Sequence, residues 1–82
     1  MTNAVSVTDN TYSPSSVQIS VGTTVTWTWG SEASLHDVTF TDGVASQDLS
    51  KNATYRRTFA AAGTFNYSCT LHPSMTGRVV VQ

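Results

Sequence analysis

Thr24-Val25-Thr26-Trp27-Thr28-Trp29 alternates a hydroxyl with an apolar side chain at every step. A period of two marks a half-buried strand, because successive side chains leave the pleated backbone on opposite faces. Val25, Trp27 and Trp29 are therefore expected to face a core, with the three threonines turned outward. The same pattern recurs on both sides of this stretch. Upstream, Ala4 to Thr8 places Val5 and Val7 on one face before an Asp9-Asn10 turn, and Val17 to Val21 alternates until Gly22-Thr23 interrupts it. Downstream, Gly30 to Ser34 reads as a loop, and His36 to Thr41 resumes the alternation with His36 in phase with Val38 and Phe40. Asp42 to Asn52 has no period and is expected to be loop with at most a helical turn. Thr54 to Phe59, Thr64 to Cys69 and Arg78 to Gln82 complete the set, with Phe65, Tyr67 and Cys69 sharing an inward face.

About seven short strands separated by turn residues predict an all-β, antiparallel β-sandwich. The 82 residues suffice for one domain, expected to span 1–82, with no room for a second core. Threonine, serine and valine dominate over helix formers, which agrees with strands and polar turns.

Charge narrows the function. Only 11% of residues are charged and the net charge is −1. Lys51, Arg56, Arg57 and Arg78 make no basic run longer than a pair, so a nucleic-acid partner is excluded. No apolar stretch approaches the ~20 residues of a bilayer span. No leader is visible ahead of the first strand, consistent with a mature domain whose leader or anchor has been removed. The single Cys cannot form an internal disulfide.

The soft donors of the chain are few: His36, Cys69, His72 and the non-initiator Met75. The last three form a Cys-x-x-His-x-x-Met cluster. Its i, i+3, i+6 spacing also fits a helix face, but Pro73 within it, Gly77 after it and strand alternation on both sides favour a loop at a strand end. Two imidazoles, one thiolate and a weak thioether make the ligand set of a blue-copper site. Each residue taken singly has a plainer reading. An inward cysteine is commonly a small hydrophobe, a histidine beside Asp37 a hydrogen-bonded one, and a methionine a gap filler. Spacing by itself leaves both readings open.

A wider resemblance favours the metal. Thr24-Val25-Thr26-Trp27, Leu35-His36-Asp37-Val38-Thr39-Phe40, Gly63 to Met75 and Gly77-Arg78-Val79-Val80-Val81 resemble the cupredoxins over essentially the whole chain, closest to the plastocyanin, amicyanin and halocyanin group. The two-residue spacer between His72 and Met75 is like that of amicyanins, and Trp27-Thr28-Trp29 is more like halocyanins. The resemblance implies a Greek-key sandwich holding one type 1 copper ion, with His36, Cys69 and His72 as equatorial ligands and Met75 as the axial one. It implies a monomeric electron carrier rather than an enzyme, in a periplasmic or other extracytoplasmic location. Redox partners would dock transiently where His72 emerges among Leu71, Pro73 and Leu35. It further implies that His72 protonates and leaves the reduced metal at mild acidity.

Two departures from the family pattern stand out. Asp37 occupies a position often held by Asn, and the chain is short, with the loss expected in the Asp42 to Asn52 region. Copper oxidases and nitrite reductases are excluded because they need more histidines than the two present, and no Gly-x-Ser-x-Gly elbow supports a serine hydrolase. The alternative function is a copper carrier or sensor module with no electron-shuttle role.

Overall fold

Each alternating segment becomes a strand in a computed structural model, which describes residues 3–72 and 74–82. The strands are β1 (Ala4–Thr8), β2 (Thr11–Ser13), β3 (Ser16–Ile19), β4 (Thr24–Trp29), β5 (Thr39–Phe40), β6 (Thr54–Thr58), β7 (Gly63–Ser68) and β8 (Thr76–Val81). They form two sheets of four, ordered β2-β1-β4-β6 and β3-β8-β7-β5. There is no helix among the described residues, so none is long and apolar enough to cross a membrane.

The all-β sandwich agrees with the sequence reading, and several details differ. Strand β2 was not expected: it pairs with β1 through a hairpin in which Thr8 faces Thr11, and Asn10 takes the left-handed conformation at φ 68°. Three residues before Pro14 are too few to display a period. Pairing is also mixed rather than wholly antiparallel, since β1 runs parallel to β4 and β3 parallel to β8. The chain leaves the first sheet after β2, adds β3 to the second sheet, and returns as β4. That excursion lets β4 lie beside β1 in the same direction, which a tight hairpin cannot do.

Between the sheets, Val5, Val7, Val25, Trp27 and Trp29 meet Val17, Ile19, Phe40, Tyr67, Val79 and Val81, all buried. The Trp27 ring stands edge-on to both Phe40 and Tyr67. Tyr67 lies directly across from Gly77 in the β7–β8 pair. A Cβ at Gly77 would fall 2.4 Å from the Tyr67 ring, so glycine is required there by close approach.

The expected strand from His36 to Thr41 is regular only at Thr39 and Phe40. The reason lies in the segment read as loop. His36 and Leu49 exchange both backbone hydrogen bonds at 3.0 Å, Ser46 N–H donates to the Val38 carbonyl, and Phe40 N–H donates to that of Val44. The loop thus acts as an irregular partner strand. Beside it, Arg57 projects inward from β6 with its side chain 16% exposed, pairs with Asp42 at 2.8 Å, and lies over the rings of Phe40, Phe59 and Phe65 at 4.5, 4.7 and 5.2 Å.

Candidate metal centre

Cys69 follows β7 and Met75 precedes β8, so the two residues continue the hairpin ladder. Cys69 N–H donates to the Met75 carbonyl at 3.0 Å. Inside that closure, His72 N–H donates to the Cys69 carbonyl at 3.3 Å and Met75 N–H to the His72 carbonyl at 2.9 Å. The loop is a short backbone-bonded turn, as its proline and flanking strands predict. His36 reaches the same place from the segment leading into β5, the strand paired with β7, and is held by its two bonds to Leu49.

Three of the predicted residues converge. Cys69 Sγ lies 3.8 Å from His36 Nδ1 and 3.7 Å from His72 Nδ1. All three donor atoms fall within 4.8 Å of one another. Cys69 and His36 are fully buried, Met75 is buried in the loop beside them, and His72 is half-buried. A metal about 2.0–2.1 Å from a nitrogen and about 2.3 Å from a thiolate, with trigonal angles, sets nitrogen and sulfur about 3.8 Å apart. The donor spacing and the mixture of imidazole with thiolate therefore fit a copper ion. Leu35 and Leu71, each next to a donor histidine in sequence, are about half exposed. Pro73, expected on the same surface, lies outside the described residues.

The neighbours of these donors were only partly anticipated. Asp37 is buried and ties the two halves of the site together. Its carboxylate accepts the Thr70 N–H at 2.7 Å, the Thr70 hydroxyl at 3.0 Å and the Thr39 hydroxyl, while its own carbonyl accepts the Tyr12 hydroxyl. Burial pushes this carboxyl up, but the hydrogen bonds, that from Thr39 foremost, outweigh burial and hold it below the ordinary carboxylate range. An aspartate thus fastens the segment carrying His36 to the residue after Cys69.

Asp9 was missed. Read only as a turn residue, it accepts the Ser34 N–H at 2.9 Å and the Ser34 hydroxyl at 2.7 Å, and the same oxygen lies 2.9 Å from His36 Nε2. The Ser34 N–H, then the bonds from His36 and the Ser34 hydroxyl, hold the Asp9 carboxyl far below its usual range. No local signal in the sequence marks this contact, which spans 27 positions. Tyr67, two residues before Cys69, is pushed up to about 12 by burial and adds no charge beside the site at neutral pH.

Comparison with known proteins agrees with this geometry. Residues 1–81 match the family model of the cupredoxin-like domain. The chain is 40% identical over 77 residues to the amicyanin of Paracoccus denitrificans, covering 87% of this chain and 58% of that protein. It is 44% identical over 72 residues to amicyanin-alpha of Methylorubrum extorquens, covering 80% and 60%. It therefore spans less than two thirds of the length of these curated relatives. Among solved structures, an oxidised amicyanin variant superposes with a TM-score of 0.89 at 35% identity, and a reduced Cu(I) form of another variant at pH 4 with 0.89 at 36%. Each of these superpositions covers 96% of this chain and 80% of the other. Sandwich, donor cluster and sequence match together place the chain in the cupredoxin-like family.

Proposed function

We propose that the protein is a small blue-copper electron carrier, with His36, Cys69, His72 and Met75 as the metal ligands. The observation that carries this reading is the convergence of both Nδ1 atoms on one buried thiol sulfur at 3.7 and 3.8 Å. Bound copper would supply one-electron chemistry by alternating between Cu(II) and Cu(I). The chain's own part is to hold the donors still. His36 is fixed by two backbone bonds to Leu49, and the loop from Cys69 to Met75 by three of its own. A shell that does not rearrange keeps electron exchange fast.

Burial favours a shuttle over the alternative of a copper carrier. A carrier needs an exchangeable site, whereas Cys69 and His36 are both 0% exposed. His72 is the donor nearest solvent, and Leu35 and Leu71, at 52% and 47% exposed, give its surroundings an apolar surface suited to brief docking. We assign redox proteins as transient partners at this surface, a monomeric carrier rather than an enzyme, and a periplasmic or other extracytoplasmic location in keeping with the family resemblance.

The test is direct. Cu(II) added to the metal-free protein is expected to give an intense blue thiolate-to-copper absorption at one equivalent, and Cys69→Ser to give none. A colourless wild-type product, or equal binding by Cys69→Ser, overturns the assignment. Rapid electron self-exchange distinguishes the shuttle from the carrier.

A further inference from the structure

His36 has two ring nitrogens with different tasks. Nδ1 faces the Cys69 sulfur, and Nε2 faces an Asp9 oxygen at 2.9 Å. An ionised carboxylate only accepts hydrogen bonds, so Nε2 carries the hydrogen and Nδ1 keeps its lone pair. Asp9 in turn has little freedom, since both the amide and the hydroxyl of Ser34 grip the oxygen that meets His36. Ser34 sits two residues from His36 in the loop after β4, while Asp9 sits in the β1–β2 turn. The clamp therefore joins a distant hairpin to the donor it orients. His36 is wholly buried and Asp9 is 57% exposed, so the contact also links the interior of the site to the surface.

The geometry points to Asp9 as a positioning residue for the metal: gripped by Ser34, it locks His36 into the tautomer that presents Nδ1, and it biases the loaded site toward the oxidised state. This rests on the copper reading above. The bias follows from charge and donor strength. A carboxylate bonded to the far nitrogen makes an imidazole a stronger donor, and outer partners of this kind typically alter metal affinity 10–100-fold. Negative charge and a more basic ligand both favour the more highly charged metal. Asp9 thus holds the reduction potential down and strengthens binding of Cu(II). Without it, the Ser34 hydroxyl, 3.5 Å from Nε2, is too far for an equivalent bond.

Substitutions at three residues test the clamp. Asp9→Asn keeps the shape and removes the charge. It is expected to weaken Cu(II) binding at least tenfold and to shift the ratio of reduced to oxidised protein about tenfold at fixed potential, a rise of about 59 mV for one electron. Ser34→Ala leaves the charge but loosens its grip, so a smaller change of the same sign is expected. Glu32→Gln removes a nearby exposed charge outside the clamp and is expected to change neither quantity. Nitrogen-15 NMR of the metal-free protein supplies a readout independent of copper. The wild type should show His36 protonated at Nε2, and Asp9→Ala, which removes the acceptor that an asparagine amide oxygen would still supply, should lose that preference.

An unchanged tautomer in Asp9→Ala, or potentials that respond equally to Asp9→Asn and Glu32→Gln, overturns the clamp. If Asp9→Asn does not fold, Ser34→Ala decides by the same measures. Failure of the wild type to bind copper would sink the function while leaving the tautomer result standing, so the two outcomes are separable.

Discussion

Two clusters in this sandwich take polar side chains out of water, and they do so in opposite ways. Around Arg57 the charge is matched: the guanidinium pairs with Asp42 and lies over three phenylalanine rings. Around Cys69 the outer atoms of His36 and Asp37 are satisfied and the inner donor atoms are not. His36 commits Nε2 to Asp9 and Asp37 commits its carboxylate to Thr39 and Thr70, while two Nδ1 atoms and a sulfur point at one another with no stronger partner. Burial of polar groups alone therefore does not mark a functional site. Uncommitted donors facing a common point do, because leaving them so is costly unless a ligand arrives.

The largest expected effect separates the clusters by what fills them. Copper at about a thousandfold excess over its dissociation constant should raise the free energy of unfolding by about 4 kcal/mol, read by denaturant titration. Cys69→Ser should erase most of that gain, and Arg57→Ala should leave it intact. A metal gain that vanished in Arg57→Ala would show the clusters to be one unit.

Next comes the packing between them. Gly77→Ala drives a methyl into the Tyr67 ring and should cost about 2–3 kcal/mol, as overpacking of a tight core does. Arg57→Ala should cost about 2 kcal/mol through lost ring contacts and lost packing. Arg57→Lys should recover only part of it, because an ammonium cannot spread over three rings and a carboxylate as a guanidinium does. Equal stability of Arg57→Lys and wild type would reduce the cluster to simple charge.

The smallest effect is electrostatic. Asp9, Asp37 and Asp42 all have carboxyls held below the ordinary range. Their stabilisation is complete above the unfolded value near about 4 and is lost as pH falls through the folded values. The thermal midpoint of the metal-free protein should therefore drop on acidification below about pH 4, with no contribution from these groups between about pH 5 and 8. Asp37→Asn should flatten the acid limb, and an unaltered limb would remove Asp37 from the account.

Much of this was legible in the chain. The threonine–tryptophan alternation of β4 predicts its buried face residue by residue, and the phase of His36 with Val38 and Phe40 correctly turns the imidazole inward. Cys69, His72 and Met75 are readable as a group because one hairpin carries them, and local spacing survives folding. What was hidden depends on distance. Asp9 is an ordinary turn residue until a loop 25 positions away supplies Ser34. Arg57 left a usable trace, since it shares parity with Tyr55 and Phe59, yet a charged residue on an inward face reads as an error until its rings and Asp42 are in place. The parallel pairings leave no trace in period-two patterns, which report which face is buried and not which strand lies alongside.

The loop closed by Cys69 and Met75 has a consequence for how such sites diversify. Three of the four donor side chains ride on a single turn whose ends are pinned by one ladder rung and whose Thr70 is tied to Asp37, so the stretch beyond Thr70 can be lengthened, shortened or exchanged as a cassette. The sandwich would register the spacing of the two ends and the tie at Thr70, and His36, anchored elsewhere, would remain the fixed reference against which each new loop is measured.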